Sequence, residues 1–325
     1  VAVTPLLERY GQKAIVFITT DFIDPSGELR PTIKESPSPV KWQGYLSIPE
    51  LRAMAASGHI EIQSHAMTHT WEFVSPEIVD FYGPHLTMDQ VGCDYRFLWL
   101  NRNRALKPFA LQHLRREAVA WGTPVYRFAP ALVARRYRPD PDIETKLVET
   151  VAREGGKEFF RRTDWRAHLE RLVEDHRRRF GDRGSYETEE ERRARICNEL
   201  HGSRTFLEQL IGQPVRFLAP PQGGSNEETL ILARKCGYDL VTAPGTAGVR
   251  LNHPGAGRGW VHRCSTGYNL FGRRASLSTS LRSQRIVLAR YSGEAMAMAI
   301  TKAVGAYRRL RGAGKRARQL TASGE

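Results

Sequence analysis

Cysteine is scarce in this sequence, and long apolar runs are missing from it. Four cysteines occur among 325 residues, and no two of them form a Cys-x-x-Cys pair. This spacing argues against a cysteine zinc site and against a disulfide scaffold. No apolar run approaches the roughly 20 residues that cross a bilayer, and no secretory signal is visible at the N-terminus. The compartment stays undetermined between the cell envelope and the cytoplasm.

Acidic residues are outnumbered by basic ones. The chain has 49 Lys and Arg against 35 Asp and Glu, a formal net charge of +14. Part of the excess lies in the tail YRRLRGAGKRARQLTASGE, which suits nucleic acid, anionic lipid or an acidic polymer, although a solvated chain end is the simpler interpretation. The stretch TEEERRARICNEL is typical of a solvated helix face. No nucleic-acid-binding motif accompanies the charge, so no specific nucleic-acid partner is predicted.

Helices and strands alternate at the start of the chain. Thr4 is a candidate N-cap with Pro5 at the first helical position, and the β-branched run KAIVFITT follows as a buried strand. Ser47 and Glu50 form a capping-box pattern that opens a helix ending near Gly58, and HIEIQ is the next strand. This order predicts an α/β fold in which helices wrap a parallel sheet.

The alternation stops and later resumes. Residues 71–212 are long, polar and Arg-rich with helical periodicity, and we interpret them as a mostly helical insertion or lid. The strand VRFLAP, a Gly-rich turn, a helix and the strand YDLVTAP then restore the pattern. Residues 1–70 and 213–295 are therefore predicted to be two parts of one α/β domain, and residues 296–325 a C-terminal helix and basic tail.

Two histidines follow the strand HIEIQ. His65 and His69 lie where the carboxyl end of a parallel strand is expected, and functional groups collect at such ends. Imidazole is a common Zn²⁺ ligand, and residues four apart on one turn can face a single ion. A His-x-x-x-His spacing also arises by chance in a chain with ten histidines. The spacing alone does not decide between these interpretations.

Three segments resemble one protein family. GHIEIQSHAMTHTW is similar to the second motif of the polysaccharide deacetylases (carbohydrate esterase family 4), which includes chitin, peptidoglycan and poly-N-acetylglucosamine deacetylases. TPLLERYGQKAIVFITTDFID resembles the helix and strand that precede this motif, and FLAPPQGGSNEET resembles the third motif. The segments occur in the family's order. The resemblance implies a deformed (β/α) barrel whose first strand is missing here.

The resemblance also implies a site. His65 and His69 would bind a divalent metal, with Zn²⁺ the expected ion. The third-motif loop would line the substrate and present a backbone N–H to the oxyanion, an approach that glycine makes possible. That loop consists of Pro220, Pro221, Gln222 and Gly223.

The chain departs from the family pattern at several positions. Ala219 occupies the place of the third motif's arginine, and Gln222 that of its aromatic residue. The fifth motif, Leu-x-His, has no clear counterpart, because the candidate strand RIVLARYS ends in Arg290 and Tyr291.

Further site candidates come from the same resemblance. Arg263 resembles an arginine that organises the family's catalytic base, although a surface arginine is an equal alternative. His262 and His253 are candidates for the general acid, and His59 precedes its strand and is not expected to be a ligand. Three tryptophans could stack on sugar rings or pack in the core; these are Trp42, Trp71 and Trp165.

The function that the resemblance implies is metal-dependent hydrolysis of N-acetyl groups from an amino-sugar polymer or glycoconjugate. The family's first motif, Thr-Phe-Asp-Asp-Gly, supplies the base and a third metal ligand, and it does not occur in residues 1–325. Asp21 and Asp24 follow the next strand, where the family has no ligand. We expect a chain truncated at its N-terminus. A catalytically inactive, carbohydrate-binding relative is the alternative, and a basic nucleic-acid-binding protein ranks after it. The sequence leaves the oligomeric state open.

A turnover measurement tests this expectation. Residues 1–325 should release no acetate from an N-acetylglucosamine oligomer, because a catalytic zinc needs three protein ligands and a base and only two histidines are available. Acetate is measured enzymatically beside a deacetylase that carries the complete motif. Release at the rate of that control would contradict the expected truncation.

Overall fold

The structure is a computed structural model, and it describes a defined part of the chain. The described residues are 4–31, 45–86, 119–243, 260–262, 278, 282–283, 285–286, 289, 294–300, 302–304 and 306. Among the sequence-based candidates, Trp42, His253, Arg263, Arg290 and Tyr291 lie outside them, as does the basic tail. The chain divides into two compact units, Val1–Ala243 and Pro244–Glu325.

Six helices and nine strands have defined bounds. The helices are α1 (Thr4–Arg9), α2 (Ile48–Ala56), α3 (Pro141–Arg153), α4 (Trp165–Phe180), α5 (Glu189–Ile211) and α6 (Glu227–Lys235). The strands are β1 (Ala14–Ile18), β2 (Ile60–Ser64), β3 (Trp71–Phe81), β4 (Pro124–Pro130), β5 (Tyr137–Arg138), β6 (Ser185–Tyr186), β7 (Phe217–Leu218), β8 (Leu240–Ala243) and β9 (Trp260–His262). Strand β9 belongs to the second unit, in which residues 295–300 are helical.

The first unit is organised around a parallel sheet. Strand β1 pairs with β2, β2 with β7 and β7 with β8, and all three pairings are parallel. The order follows the chain without the reversal that marks a doubly wound sheet, so it is the order of successive barrel strands. The predicted α/β fold with a parallel sheet is confirmed.

The segment between β2 and β7 contains more than helices. Strands β3 and β4 pair antiparallel, and β5 and β6 form a second short antiparallel pair. Helices α3 and α4 bury Ile143, Leu147 and Leu169 together with Phe81 at the end of β3. This segment therefore has its own apolar core, and its role as a lid remains a prediction. No helix among the described residues is both long and apolar enough to cross a membrane.

Helix α5 is the longest helix described in the first unit. Its N-terminus is closed by a capping box between Thr188 and Glu191, and Gly212 ends it with a left-handed φ of 66°. Ile196, Leu200 and Leu207 on its apolar stripe are fully buried, as the 3.6-residue periodicity predicts. The helix thereby buries its apolar side.

Helix α2 is held at its N-terminus by the predicted capping box. The side chain of Ser47 accepts from the backbone N–H of Glu50, and the Glu50 carboxylate accepts from the N–H of Ser47. Arg30 donates two further hydrogen bonds to that carboxylate, at 2.7 and 2.6 Å. Burial by itself would raise the pKa of Glu50, but Arg30 and the Ser47 N–H outweigh it and hold the pKa below its usual value.

The lowered pKa of Glu50 predicts a pH-dependent stability. A carboxyl with a depressed folded-state pKa stabilises the fold above its unfolded pKa, and this contribution is lost as the pH falls below about 4.5. Glu50→Gln should therefore lower the free energy of unfolding by about 1–3 kcal/mol at pH 7 and by much less near pH 3.5. Urea unfolding at both pH values checks this. The control is Glu170→Gln, at an exposed position of α4. An equal loss at both pH values would contradict it.

Candidate functional site

His65 begins the loop that leaves β2. Its backbone N–H donates to the carbonyl of Ile18 at 2.8 Å, so the loop starts beside the end of β1. Its ring Nδ1 lies 2.5 Å from the carbonyl oxygen of Ala219. A carbonyl only accepts, so Nδ1 carries the proton and the lone pair of the neutral ring is on Nε2. Such a contact fixes the tautomer and orientation of metal-binding histidines.

Ala219 reaches His65 because of the sheet register. Ser64, the last residue of β2, pairs with Leu218 at the end of β7. The residues that follow the two strands are therefore neighbours, and the N–H of Ala219 donates to the carbonyl of Ser64 at 2.9 Å. The second-motif and third-motif segments, 150 residues apart in sequence, meet at this point.

His69 contacts the third-motif loop through Gln222. The amide nitrogen of Gln222 lies 2.8 Å from Nδ1 of His69 and donates to it. Burial lowers the pKa of His69 below 6.5, so the ring is neutral at pH 7. Rotation of the Gln222 amide by 180° would present its oxygen to Nδ1 and transfer the ring proton to that nitrogen, which would place the lone pair on Nε2.

The two rings lie at a separation suited to one ion. Their centroids are 5.0 Å apart, with an angle of 51° between the ring planes. Two imidazoles on one tetrahedral zinc, with Zn–N bonds near 2.0–2.1 Å, have centroids about 5 Å apart. The separation is therefore that of two ligands on one ion, and the lone pair of His69 is on Nε2 only when the Gln222 amide is rotated. No group of three His, Cys, Asp or Glu that could hold a metal occurs in the part of the chain that the structure describes.

Backbone strain is concentrated in these two loops. Ala66, His69 and Gln222 have φ values of 61°, 53° and 48°, and they are the non-glycine residues with positive φ among those described. Left-handed backbone costs such residues about 1–2 kcal/mol each and persists where the surroundings enforce it. All three positions lie at the histidine pair, which is where a functional constraint is expected to override local preference.

The third-motif loop forms a tight turn. Pro221–Gly223 is one turn of 3₁₀ helix, in which the N–H groups of Gly223 and Gly224 donate to the carbonyls of Pro220 and Pro221. A Cβ on Gly224 would lie 2.3 Å from Cβ of Pro130, so only glycine fits where the turn meets β4. The structure thus places Pro220, Pro221, Gln222 and Gly223 beside the histidines. Their predicted contact with the oxyanion remains a prediction.

A cavity opens beside His69. Its volume is ≈ 390 Å³, and its walls are mostly apolar. The lining residues are Phe17, Ile18, Thr19, Phe22, Ile23, Tyr45, Leu46 and His69. One histidine of the pair, His69, therefore borders a concave surface of the kind in which ligands commonly bind.

Other candidates have contacts of their own in the structure. Nδ1 of His59 contacts the carbonyl of Gln12 at the opposite end of β2. Trp71 packs against Phe128, and Trp165 packs against Phe160, so both tryptophans belong to hydrophobic clusters. The backbone of His262 lies in β9 of the second unit.

Glu199 is a site-region residue that the sequence interpretation missed. The sequence pattern TEEERRARICNEL predicts that Glu199 lies on a solvated helix face. This prediction is wrong, because the side chain of Glu199 is buried against the histidine loop. Its carboxylate accepts from the N–H groups of Met67 and Thr68 and from the Thr68 hydroxyl. Burial raises the pKa of Glu199, and these hydrogen bonds oppose the rise. The available signal was its position three residues after Ile196, on the apolar stripe of α5.

One family model matches part of this chain. Residues 142–241 match the family model described as polysaccharide deacetylase. This match, about a third of the chain, includes the third-motif loop and begins within the segment interpreted as an insertion. The match agrees with the resemblance to the polysaccharide deacetylases seen in the sequence. A comparison with curated proteins finds no match.

Three solved structures are among those that match this chain. The BpsB deacetylase domain from Bordetella bronchiseptica is 17% identical with a TM-score of 0.43, over 80% of this chain and 64% of that one. A de-N-acetylase from Aggregatibacter actinomycetemcomitans is 16% identical with a TM-score of 0.43, over 86% and 68%. IcaB from Ammonifex degensii is 12% identical with a TM-score of 0.37, over 88% and 66%. The chain thus spans 64% of the length of the BpsB domain, and none of these likenesses assigns an activity.

The contact between Gln222 and His69 predicts two opposite effects on metal affinity. Gln222→Ala should weaken Zn²⁺ binding about tenfold, because the ring of His69 loses the partner that orients it. Gln222→Glu should strengthen binding, because a carboxylate accepts from Nδ1–H and makes the imidazole a better ligand. Isothermal titration measures both, and Gln213→Ala, an exposed position before β7, is the control. Equal affinities for all four proteins would contradict the predicted role of Gln222.

Proposed function

We propose that this protein is a metal-dependent N-deacetylase that acts on an amino-sugar polymer or glycoconjugate. The observation that carries the proposal is the pair His65 and His69 at the end of β2, with rings 5.0 Å apart and Nδ1 of His65 on a backbone carbonyl. The family match supports the reaction class. The net charge of +14 suits an anionic envelope polymer or lipid headgroup as the substrate's context.

Each residue of the candidate site would have its own role in the reaction. His65 and His69 hold a divalent metal, with Zn²⁺ expected, and Ala219 keeps the first ring in its ligating tautomer. The metal, once bound, would supply Lewis-acid polarisation of the acetyl carbonyl and would lower the pKa of water near it. The turn Pro220–Gly223 contacts His69 through Gln222 and would line the acetylated sugar. The products are acetate and a free amine on the sugar.

Two proton transfers complete the reaction. A carboxylate takes the proton of the attacking water, and an acid protonates the departing amine. We assign neither role to a described side chain. Arg263 remains the proposed organiser of the base, and His262 and His253 remain proposed acids.

A catalytically inactive carbohydrate-binding relative is the second candidate. It is favoured by one observation: the described residues include no group of three side chains that could hold a metal, whereas a catalytic zinc normally has three protein ligands. The two candidates differ in whether acetate is released, because both would bind an N-acetylated oligomer.

Metal binding by residues 1–325 tests the ligand assignment. Zn²⁺ and Co²⁺ should bind, and His65→Ala and His69→Ala should each weaken binding at least 100-fold, because each removes a direct ligand. His59→Ala is the matched control, since that ring lies at the other end of β2, and it should bind like the unmodified chain. Unchanged binding in the first two variants would contradict the assignment.

Turnover separates the two candidate functions. Acetate release from an N-acetylglucosamine oligomer is measured with and without Zn²⁺, in residues 1–325 and in an engineered variant with a Thr-Phe-Asp-Asp-Gly segment added before Val1. Zinc-dependent release that His65→Ala abolishes supports the deacetylase. Oligomer binding without release in either form supports the inactive relative.

A further inference from the structure

Helix α5 holds the histidine loop through a buried carboxylate. Glu199 is 8% exposed, and its Oε2 accepts from two consecutive backbone N–H groups, those of Met67 at 3.2 Å and Thr68 at 3.0 Å. Its Oε1 accepts from the Thr68 hydroxyl at 2.7 Å. Three donors from the middle of the loop, residues 65–70, thus converge on one side chain from a different element.

These contacts act where the loop backbone is strained. Met67 and Thr68 lie between Ala66 and His69, both of which have left-handed φ values. Consecutive N–H groups that point in the same direction form a concave anion-binding arrangement, and a fixed carboxylate stabilises that backbone conformation. The conformation in turn sets the separation of the His65 and His69 rings.

Other contacts fix the same helix at the same place. Ser203, one turn after Glu199, lies with its Oγ 3.1 Å from Oγ of Ser64, the last residue of β2. A Cβ on Gly202 would lie 2.4 Å from the terminal methyl of Met67, so α5 leaves room there for the loop side chain. The helix therefore contacts both the strand end and the loop.

We propose that Glu199 is a positioning residue for the metal-binding loop, acting through the backbone of Met67 and Thr68 on the geometry of His65 and His69. The proposal rests on the proposed function. Glu199 contacts the loop between the histidines from its buried side, so its role is distinct from that of the catalytic base. Among the described residues its hydrogen-bond donors are neutral groups of the loop, so we infer that accepting hydrogen bonds is what matters.

This inference predicts rescue by glutamine. The amide oxygen of Gln can accept from the two N–H groups, and its NH₂ can donate to Oγ1 of Thr68, whose own proton can go to Oγ1 of Thr70 at 2.9 Å. Glu199→Gln should therefore keep the loop in place, whereas Glu199→Ala removes all three contacts. Glu190→Ala, an exposed glutamate in the first turn of α5, is the matched control.

Hydrogen exchange tests the loop without any metal. In residues 1–325, fragments covering residues 65–70 should exchange at least tenfold faster in Glu199→Ala, and within about threefold of the unmodified rate in Glu199→Gln and Glu190→Ala. Fragments from α3 and α4 report whether the rest of the fold is intact. If Glu199→Ala does not fold, Thr68→Val, which removes only the hydroxyl contact, should still accelerate exchange about threefold. Unchanged exchange in the variant that folds would overturn the proposal.

Co²⁺ binding tests the consequence for the histidines. Glu199→Ala should weaken Co²⁺ affinity 10–100-fold and change the visible spectrum of the bound ion, while Glu199→Gln restores both. Normal affinity and spectrum in Glu199→Ala, or a failure of Gln to restore them, would overturn the proposal. If the unmodified chain binds no Co²⁺, the proposed function fails instead, and the exchange measurement alone decides the role of Glu199.

Discussion

The pairing of Ser64 with Leu218 is the contact on which the site depends. It aligns the ends of β2 and β7, so that His65 finds the carbonyl of Ala219 and Gln222 reaches His69. In a sheet with side chains on alternate faces, a shift of one residue would turn His65 away from this carbonyl. Burial of Ser64 between the sheet and α5, with its hydroxyl on Ser203, opposes such a shift.

Local sequence patterns predicted local structure well. The capping box at Ser47 and Glu50 is present in the structure, and the apolar stripe of α5 is buried. The pattern at residues 71–212 indicated helices but not the strands β3 and β4. The Arg-rich stretches later in this segment have a helical periodicity, and they outweigh the shorter strand pattern at its start. A strand such as β3 is defined by its pairing with a segment distant in sequence, and a single sequence gives little information about such pairing.

The sequence resemblance selected the histidines and the third-motif loop, and their roles in a site remain predictions. The resemblance named both segments, and the structure brings them into contact. The hydrogen bond of Gln222 to His69 was not predictable, because it depends on a left-handed residue that is not glycine. Glu199 was missed because charge suggests exposure. Its burial is explained by the N–H groups of the loop that donate to its carboxylate. The family match, which begins at residue 142, includes Glu199 and the turn but not the histidines.

The contact between Gly224 and Pro130 links two parts of the chain that otherwise look independent. The turn beside the histidines and the strand pair β3–β4 occupy adjoining space with no room for a methyl group between them. Inheritance of the two segments should therefore be coupled: a relative with a bulkier residue at the position of Gly224 should carry a different end to its β4. Exchange of the 71–130 region between relatives would need the turn to be transferred with it.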